Sequence, residues 1–260
     1  MMRIGVIGAG RLGGTLAAWC AESGHDVAVT SRHPERVREL VDRMNWRMRV
    51  MPVPQAASFS DMVIFAPNWA SAKEAVDLTL GAIQGKVVID ATNPADAVPG
   101  APGPGGLAGM PGSFSGAVLA ADEDLGASTK SPAVMAAAVT GPPNEAADRL
   151  LARAGGKSGL ETLIEWAPEA HWVKAFNTMP AEVLTRRRGH DPLLAEFVCT
   201  DQPDAREAAS QIIRELGFAP FYAGGAKAAR LTETGGPLQS REVDVQDATD
   251  ALAEALTALR

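Results

Sequence analysis

The chain has 260 residues, a formal net charge of −7, 46% hydrophobic and 21% charged side chains, and two cysteines. Its length supports one large domain or two modest ones around a real core, and its acidity, with no cluster of Lys and Arg, argues against nucleic acid and anionic membrane surfaces as partners. Cys20 and Cys199 lack metal-ligand spacing and are too few for a disulfide framework, so both read as buried packing residues.

Met1 leads directly into a strand pattern without an export leader, and no apolar run approaches the ~20 residues that cross a bilayer. The expectation is a cytoplasmic protein. Arg3-Ile4-Gly5-Val6-Ile7 is β-rich, and Leu12, Leu16, Ala17 and Cys20 then recur at helical spacing until Gly24. Asp26–Thr30 reads as the second strand of a parallel pair, and Pro34 opens a helix carrying Val37, Leu40 and Val41. A weaker strand is expected near Met48–Met51. The apolar runs Met62–Ala66 and Lys86–Asp90 suit central strands covered on both faces, joined by a helix over about Ser71–Leu80. This alternation predicts a Rossmann-type α/β fold with a doubly wound parallel sheet, whose ligands sit beyond the carboxyl ends of the strands.

From about residue 98 to 160 the sequence reads as a long Gly/Pro-rich insertion, with some structure expected at 133–139 and a helix over 145–153. His171–Phe176 returns to the sheet as a strand. Beyond residue 178 a smaller C-terminal α/β lobe is expected: a helix near Ala181–Arg188, a strand at Glu196–Thr200, a helix through Asp204–Leu216, a short strand Phe218–Phe221 and a terminal amphipathic helix within 243–258. The domain division is therefore 1–178, with the insertion, and 179–260. The apolar face of the terminal helix suits either packing within the chain or a homodimer.

Gly8-Ala9-Gly10-Arg11-Leu12-Gly13 carries the chemistry most directly. It follows a strand and opens a helix, so its glycines serve a tight turn, close approach of the backbone to a pyrophosphate, and packing of helix on strand. The helix amino end supplies free N–H groups and a positive dipole for the anion. At the end of the second strand stand Thr30, Ser31 and Arg32, with no carboxylate to take the adenosine ribose. Ser31 and the forked guanidinium of Arg32 suit a phosphate, and Arg36 lies one helical turn on, so NADP is expected over NAD. Ala66-Pro67-Asn68 and Thr92-Asn93-Pro94 follow the fourth and fifth strands. Asn93 reads equally as a cofactor hydrogen-bond partner and as the initiator of the turn before Pro94. Asn177 and Thr178 stand beyond another strand end, where they suit contact with the nicotinamide or its reaction partner as well as a structural turn. His25, His33 and His190 show no metal pattern, His171 reads as a surface or packing residue, and no metal is expected.

Together GAGRLG, TSR, IDATNP, VKAFNTMP and the later ELGF…AARL resemble the NADPH-dependent reductases of coenzyme F-420. The resemblance implies hydride transfer between NADP(H) and the deazaflavin F-420. It implies that Ala9, Gly10, Arg11, Leu12, Ser31, Arg32 and Arg36 hold the phosphates and adenosine ribose, with Ala66, Pro67, Ala175 and Leu231 nearer the nicotinamide. The cofactors carry such chemistry, so no acid or base residue is singled out as catalytic. The insertion departs from the family and lies where the hydride acceptor enters. An NADPH-dependent reductase of a small organic substrate, and a non-catalytic NADP(H)-binding regulatory module, are therefore the alternatives.

Overall fold

The computed structural model describes residues 1–43, 47–94, 151 and 156–258. In chain order the strands are β1 (Arg3–Ile7), β2 (Asp26–Thr30), β3 (Met48–Val50), β4 (Met62–Phe65), β5 (Val87–Asp90), β6 (His171–Lys174), β7 (Ala195–Cys199) and β8 (Ala219–Gly224). They form one sheet in the order β3-β2-β1-β4-β5-β6-β7-β8. All neighbours are parallel except β6 and β7, which join antiparallel through the single register pair Lys174 and Cys199. The segment expected as a C-terminal lobe thus adds its two strands to the edge of the same sheet.

The helices are α1 (Arg11–Glu22), α2 (Pro34–Arg43), α3 (Val53–Phe59), α4 (Ala72–Asp77), α5 (Gly159–Trp166), α6 (Ala181–Arg187), α7 (Pro203–Glu215), α8 (Ala229–Thr232) and α9 (Val245–Thr257). They cover both faces, as the unbroken apolar runs of the inner strands require. On one face Leu16, Trp19, Val37, Leu184, Ile212 and Ile213 pack on Val6, Ile64, Ile89 and Val173. On the other, Ala75, Val76, Leu160, Leu163 and Leu252 pack on Ile7, Phe65, Val88 and Trp172. Phe65 and Trp172 meet edge to face there, 5.5 Å between ring centres, a geometry worth about 0.5–1.5 kcal/mol beyond area burial.

Two helices depart from the sequence expectation. Residues Val53–Phe59 form α3, seven residues with a proline in the first turn and Ala56 and Ala57 buried, too short for a periodic apolar stripe. The tail of the expected insertion begins α5: Ser158 accepts from the Glu161 N–H while the Glu161 side chain accepts from the Ser158 N–H, a reciprocal cap. The element expected at 133–139 and most of the helix expected at 145–153 lie outside the described residues. Cys20 and Cys199 are both buried and form no disulfide, and burial pushes the Cys20 thiol up to about 12. No described helix is long and apolar enough to cross a membrane.

Candidate functional site

The sheet brings the carboxyl ends of β1, β2, β4, β5 and β6 to one edge, and the residues singled out in the sequence gather along it. Gly8 has a φ of 95°, and a Cβ there would lie 2.6 Å from Pro67 N and 2.7 Å from the Ala66 carbonyl. Only glycine fits, so the turn after β1 lies hard against the end of β4. A Cβ on Gly13 would fall 2.2 Å from the Gly8 carbonyl oxygen, which seats α1 on that turn. Gly10 differs from both. A Cβ there would meet nothing within 4 Å, and Gly10 caps α1 without a side-chain hydrogen bond. The first-turn N–H groups of α1, at Arg11, Leu12 and Gly13, therefore front an open approach, as a backbone cradle for pyrophosphate demands.

The turn is tied to β2. Thr30 Oγ1 accepts from the Gly8 N–H at 3.2 Å and its carbonyl from the Ala9 N–H at 2.8 Å. Ser31 Oγ accepts from the His33 N–H at 3.0 Å, forming a local turn that sets the chain before α2. Arg32 is exposed, and no carboxylate pairs with it among the described residues. Arg36 lies in α2 and its side chain is outside the described part. Arg11, also exposed, pairs with Glu182 of α6 at 2.7 Å, a contact in water that phosphate oxygens can displace at small expense.

Asn93 and Asn177 meet at the ends of β5 and β6. Asn93 Nδ2 donates to the Asn177 carbonyl at 2.7 Å, and Asn177 Nδ2 donates to Asn93 Oδ1 at 3.2 Å. Asn177 Nδ2 also reaches the carbonyl and hydroxyl of Thr232 at 2.9 and 3.2 Å, bringing α8 and Leu231 to the same corner. Ala175 and Leu231 are buried, with side chains in the cores on opposite faces of the sheet. Between Ala175 and Asn177, Phe176 takes a φ of 61°, an unfavourable conformation for a bulky side chain.

Beneath this corner lies a charge cluster that strand-like periodicity concealed. Lys174, fully buried at the end of β6, sets its Nζ 2.8 Å from Asp90 Oδ2, 3.1 Å from Glu233 Oε1 and 2.7 Å from the Thr92 carbonyl. Burial draws the ammonium down, but the two carboxylates outweigh it and hold the Lys174 pKa above the ordinary lysine range. Asp90 Oδ1 further accepts from the N–H and hydroxyl of Thr92, at 2.8 and 2.7 Å. Glu233 accepts from the Gly159 and Leu160 N–H groups at the amino end of α5, at 3.0 and 3.3 Å. One lysine thus binds β5, β6, α5 and the end of α8 together under the Asn93–Asn177 pair.

Glu196 in β7 is a second hidden charge. It is fully buried, with no side-chain partner for either carboxyl oxygen and only a loose approach by the Phe176 N–H. Burial pushes its pKa up to about 8, with the Phe176 N–H drawing it partly back, so at neutral pH the protonated form dominates. Across the strand pair it faces Pro220, which has no N–H to offer. Among the described residues no group of three or more His, Cys, Asp or Glu is placed to hold a metal.

Residues 3–94 match the family described as NADP oxidoreductase, coenzyme F420-dependent. The likeness is to this stretch of the chain, about a third of its length. It runs from β1 to Pro94 and includes the glycine turn, the Ser31-Arg32 corner, Ala66-Pro67 and Asn93. No curated protein matches the chain. Among solved structures, a hypothetical protein from Sinorhizobium meliloti is similar at 23% identity and a TM-score of 0.64, over 94% of this chain and 96% of that one. A protein from Arthrobacter sp. FB24, described provisionally as an F420-dependent NADP-reductase, is similar at 20% identity and a TM-score of 0.62, over 99% and 96%. An imine reductase from Myxococcus stipitatus in complex with NADP+ shares 13% identity and a TM-score of 0.53, over 98% of this chain and 61% of its own length. These likenesses establish the common Rossmann-like architecture.

Proposed function

We propose that the protein is an NADP(H)-dependent oxidoreductase that moves hydride between the nicotinamide and the deazaflavin F-420. The observation that carries the cofactor half is the combination at one sheet edge of an open Gly10 cradle and an exposed Arg32, without a carboxylate partner among the described residues, where NAD-binding chains place an acidic side chain. In this reading the first-turn N–H groups of α1 take the pyrophosphate, and Ser31 and Arg32, joined by Arg36, take the adenosine phosphate. In the same reading the nicotinamide lies past Ala66 and Pro67 toward Asn93 and Asn177, with Ala175 and Leu231 packed in the two cores behind that corner.

The bound dinucleotide supplies the hydride; the protein aligns donor and acceptor carbons and excludes water. The Lys174–Asp90–Glu233 cluster holds the floor of that corner rigid from below. The F-420 half rests on the family of residues 3–94 and on the sequence motifs VKAFNTMP and AARL beyond it.

The test is spectroscopic. Purified protein mixed with NADPH and F-420 should bleach the visible absorbance of the deazaflavin while NADPH is consumed. Absence of bleaching at high enzyme concentration, with NADPH bound, would overturn the F-420 half. Consumption of NADPH on a small imine or carbonyl substrate instead would transfer the scaffold to that chemistry.

A further inference from the structure

The side-chain amide of Asn177 is satisfied at one end only. Its Nδ2 has acceptors at Asn93 Oδ1, the Thr232 carbonyl and Thr232 Oγ1, 3.2, 2.9 and 3.2 Å away. The Thr232 hydroxyl donates its own proton to the Ala229 carbonyl at 2.8 Å, so toward Asn177 it can only accept. Those three acceptors fix which end of the amide is nitrogen. The other end, Oδ1, is buried without a hydrogen-bond partner, in a residue only 4% exposed. A buried amide oxygen left unpaired is unfavourable, and in native chains such a group is completed by an ordered water, an ion or a ligand. The backbone is strained at the same place, with Phe176 at a φ of 61° directly before Asn177.

We propose that Asn177 Oδ1 is the acceptor for the carboxamide N–H of the nicotinamide, which makes Asn177 the residue that orients the reactive ring. The inference rests on the NADP(H) reading above and extends it to a single atom. The carboxamide is the one hydrogen-bond donor on the reactive ring, so an acceptor there fixes the rotation of the ring and hence the face from which hydride leaves. The rest of the Asn177 side chain is already held in place: the residue's backbone carbonyl accepts from Asn93 Nδ2 at 2.7 Å while its Nδ2 has three acceptors around it, leaving Oδ1 as the unpartnered end of the amide. Asn177 stands beyond the carboxyl ends of β5 and β6, where ligands of a doubly wound parallel sheet sit.

The experiment is direct binding, by calorimetry, of NADP+ and of its 3-acetylpyridine analogue, in which a methyl group replaces the carboxamide NH2. The wild-type protein should bind NADP+ about tenfold more tightly than the analogue. Asn177→Ala should bind the two within about twofold of each other. Equal affinities in the wild-type protein, or undiminished discrimination in Asn177→Ala, would overturn the proposal while leaving NADP(H) binding intact. No binding of NADP+ by the wild-type protein would overturn both readings. If Asn177→Ala does not fold, NMR of NADP+ labelled with 15N in the carboxamide, bound to wild-type protein, decides. Slow exchange of one carboxamide proton is expected, and rapid exchange of both would refute the contact.

Discussion

Replacing Glu196 by glutamine should stabilise the protein in alkaline solution and change it little in acid. The buried carboxyl titrates at about 8 in the folded chain against 4.5 for the ordinary group, so between those values the folded state holds a proton that the unfolded state has released. Stability contributed by the neutral acid is complete below pH 4.5 and is lost as pH rises through 8. The slope is about 1.4 kcal/mol per pH unit for one proton. Between pH 5.5 and 7.5 the wild-type protein should therefore lose about 3 kcal/mol relative to Glu196→Gln. Water reaching the carboxylate would make that figure an upper bound. For a chain of this size the loss corresponds to roughly 6–12 °C in midpoint. Urea unfolding of both proteins at the two pH values measures it, and subtraction cancels every group the variants share. A wild-type-minus-variant difference that stays constant within about 0.5 kcal/mol across that range would refute a buried, unpartnered acid at this position.

Four further substitutions probe the site and its floor. Arg32→Ala should weaken NADP(H) by about 1–3 kcal/mol and leave NAD(H) unchanged, measured by fluorescence titration with both cofactors; equal weakening would remove the phosphate role. Gly10→Ala should fold with less than about 1 kcal/mol of lost stability, since its added Cβ meets nothing, yet bind NADP(H) poorly. Gly13→Ala should instead lose about 1–3 kcal/mol or more, because its Cβ strikes the Gly8 carbonyl oxygen, and equal thermal midpoints for the two variants would contradict the assigned division of labour. Lys174→Met should lose about 3–5 kcal/mol by leaving Asp90 and Glu233 buried without their cation, with partial recovery when Asp90→Asn and Glu233→Gln are added. Denaturant midpoints of the single and triple variants give the answer.

The inner strands β1, β2, β4 and β5 were legible because helices bury both their faces, so their residues form apolar runs that a half-exposed strand would interrupt at every second position. The glycine turn was legible because each glycine answers a steric demand that no other residue meets. Helix α5 was signalled by Ser158 and Glu161 three residues apart, a cue easily passed over at the end of a Gly/Pro-rich stretch. Lys174 and Asp90 resisted for a different reason. Each sits at the end of an apolar run, where a charge reads as an exposed strand end, and the partner that makes burial tolerable lies 84 residues away. Glu196 alternates with apolar neighbours in the manner of a solvent-facing position; only the position of β7 in the sheet shows that no solvent is there.

The Lys174–Asp90 contact also closes a long loop of chain, residues 91–173, which includes the whole connection between β5 and β6. Closure entropy grows only with the logarithm of segment length, so doubling such a segment costs about 0.6 kcal/mol, less than one well-made hydrogen bond. The register of β5 against β6 is set meanwhile by backbone pairing and by this ion pair, neither of which depends on what the intervening residues are. By this loop-closure argument alone, a change of a few residues in length between Pro94 and Leu151 is expected to alter the stability of the scaffold little.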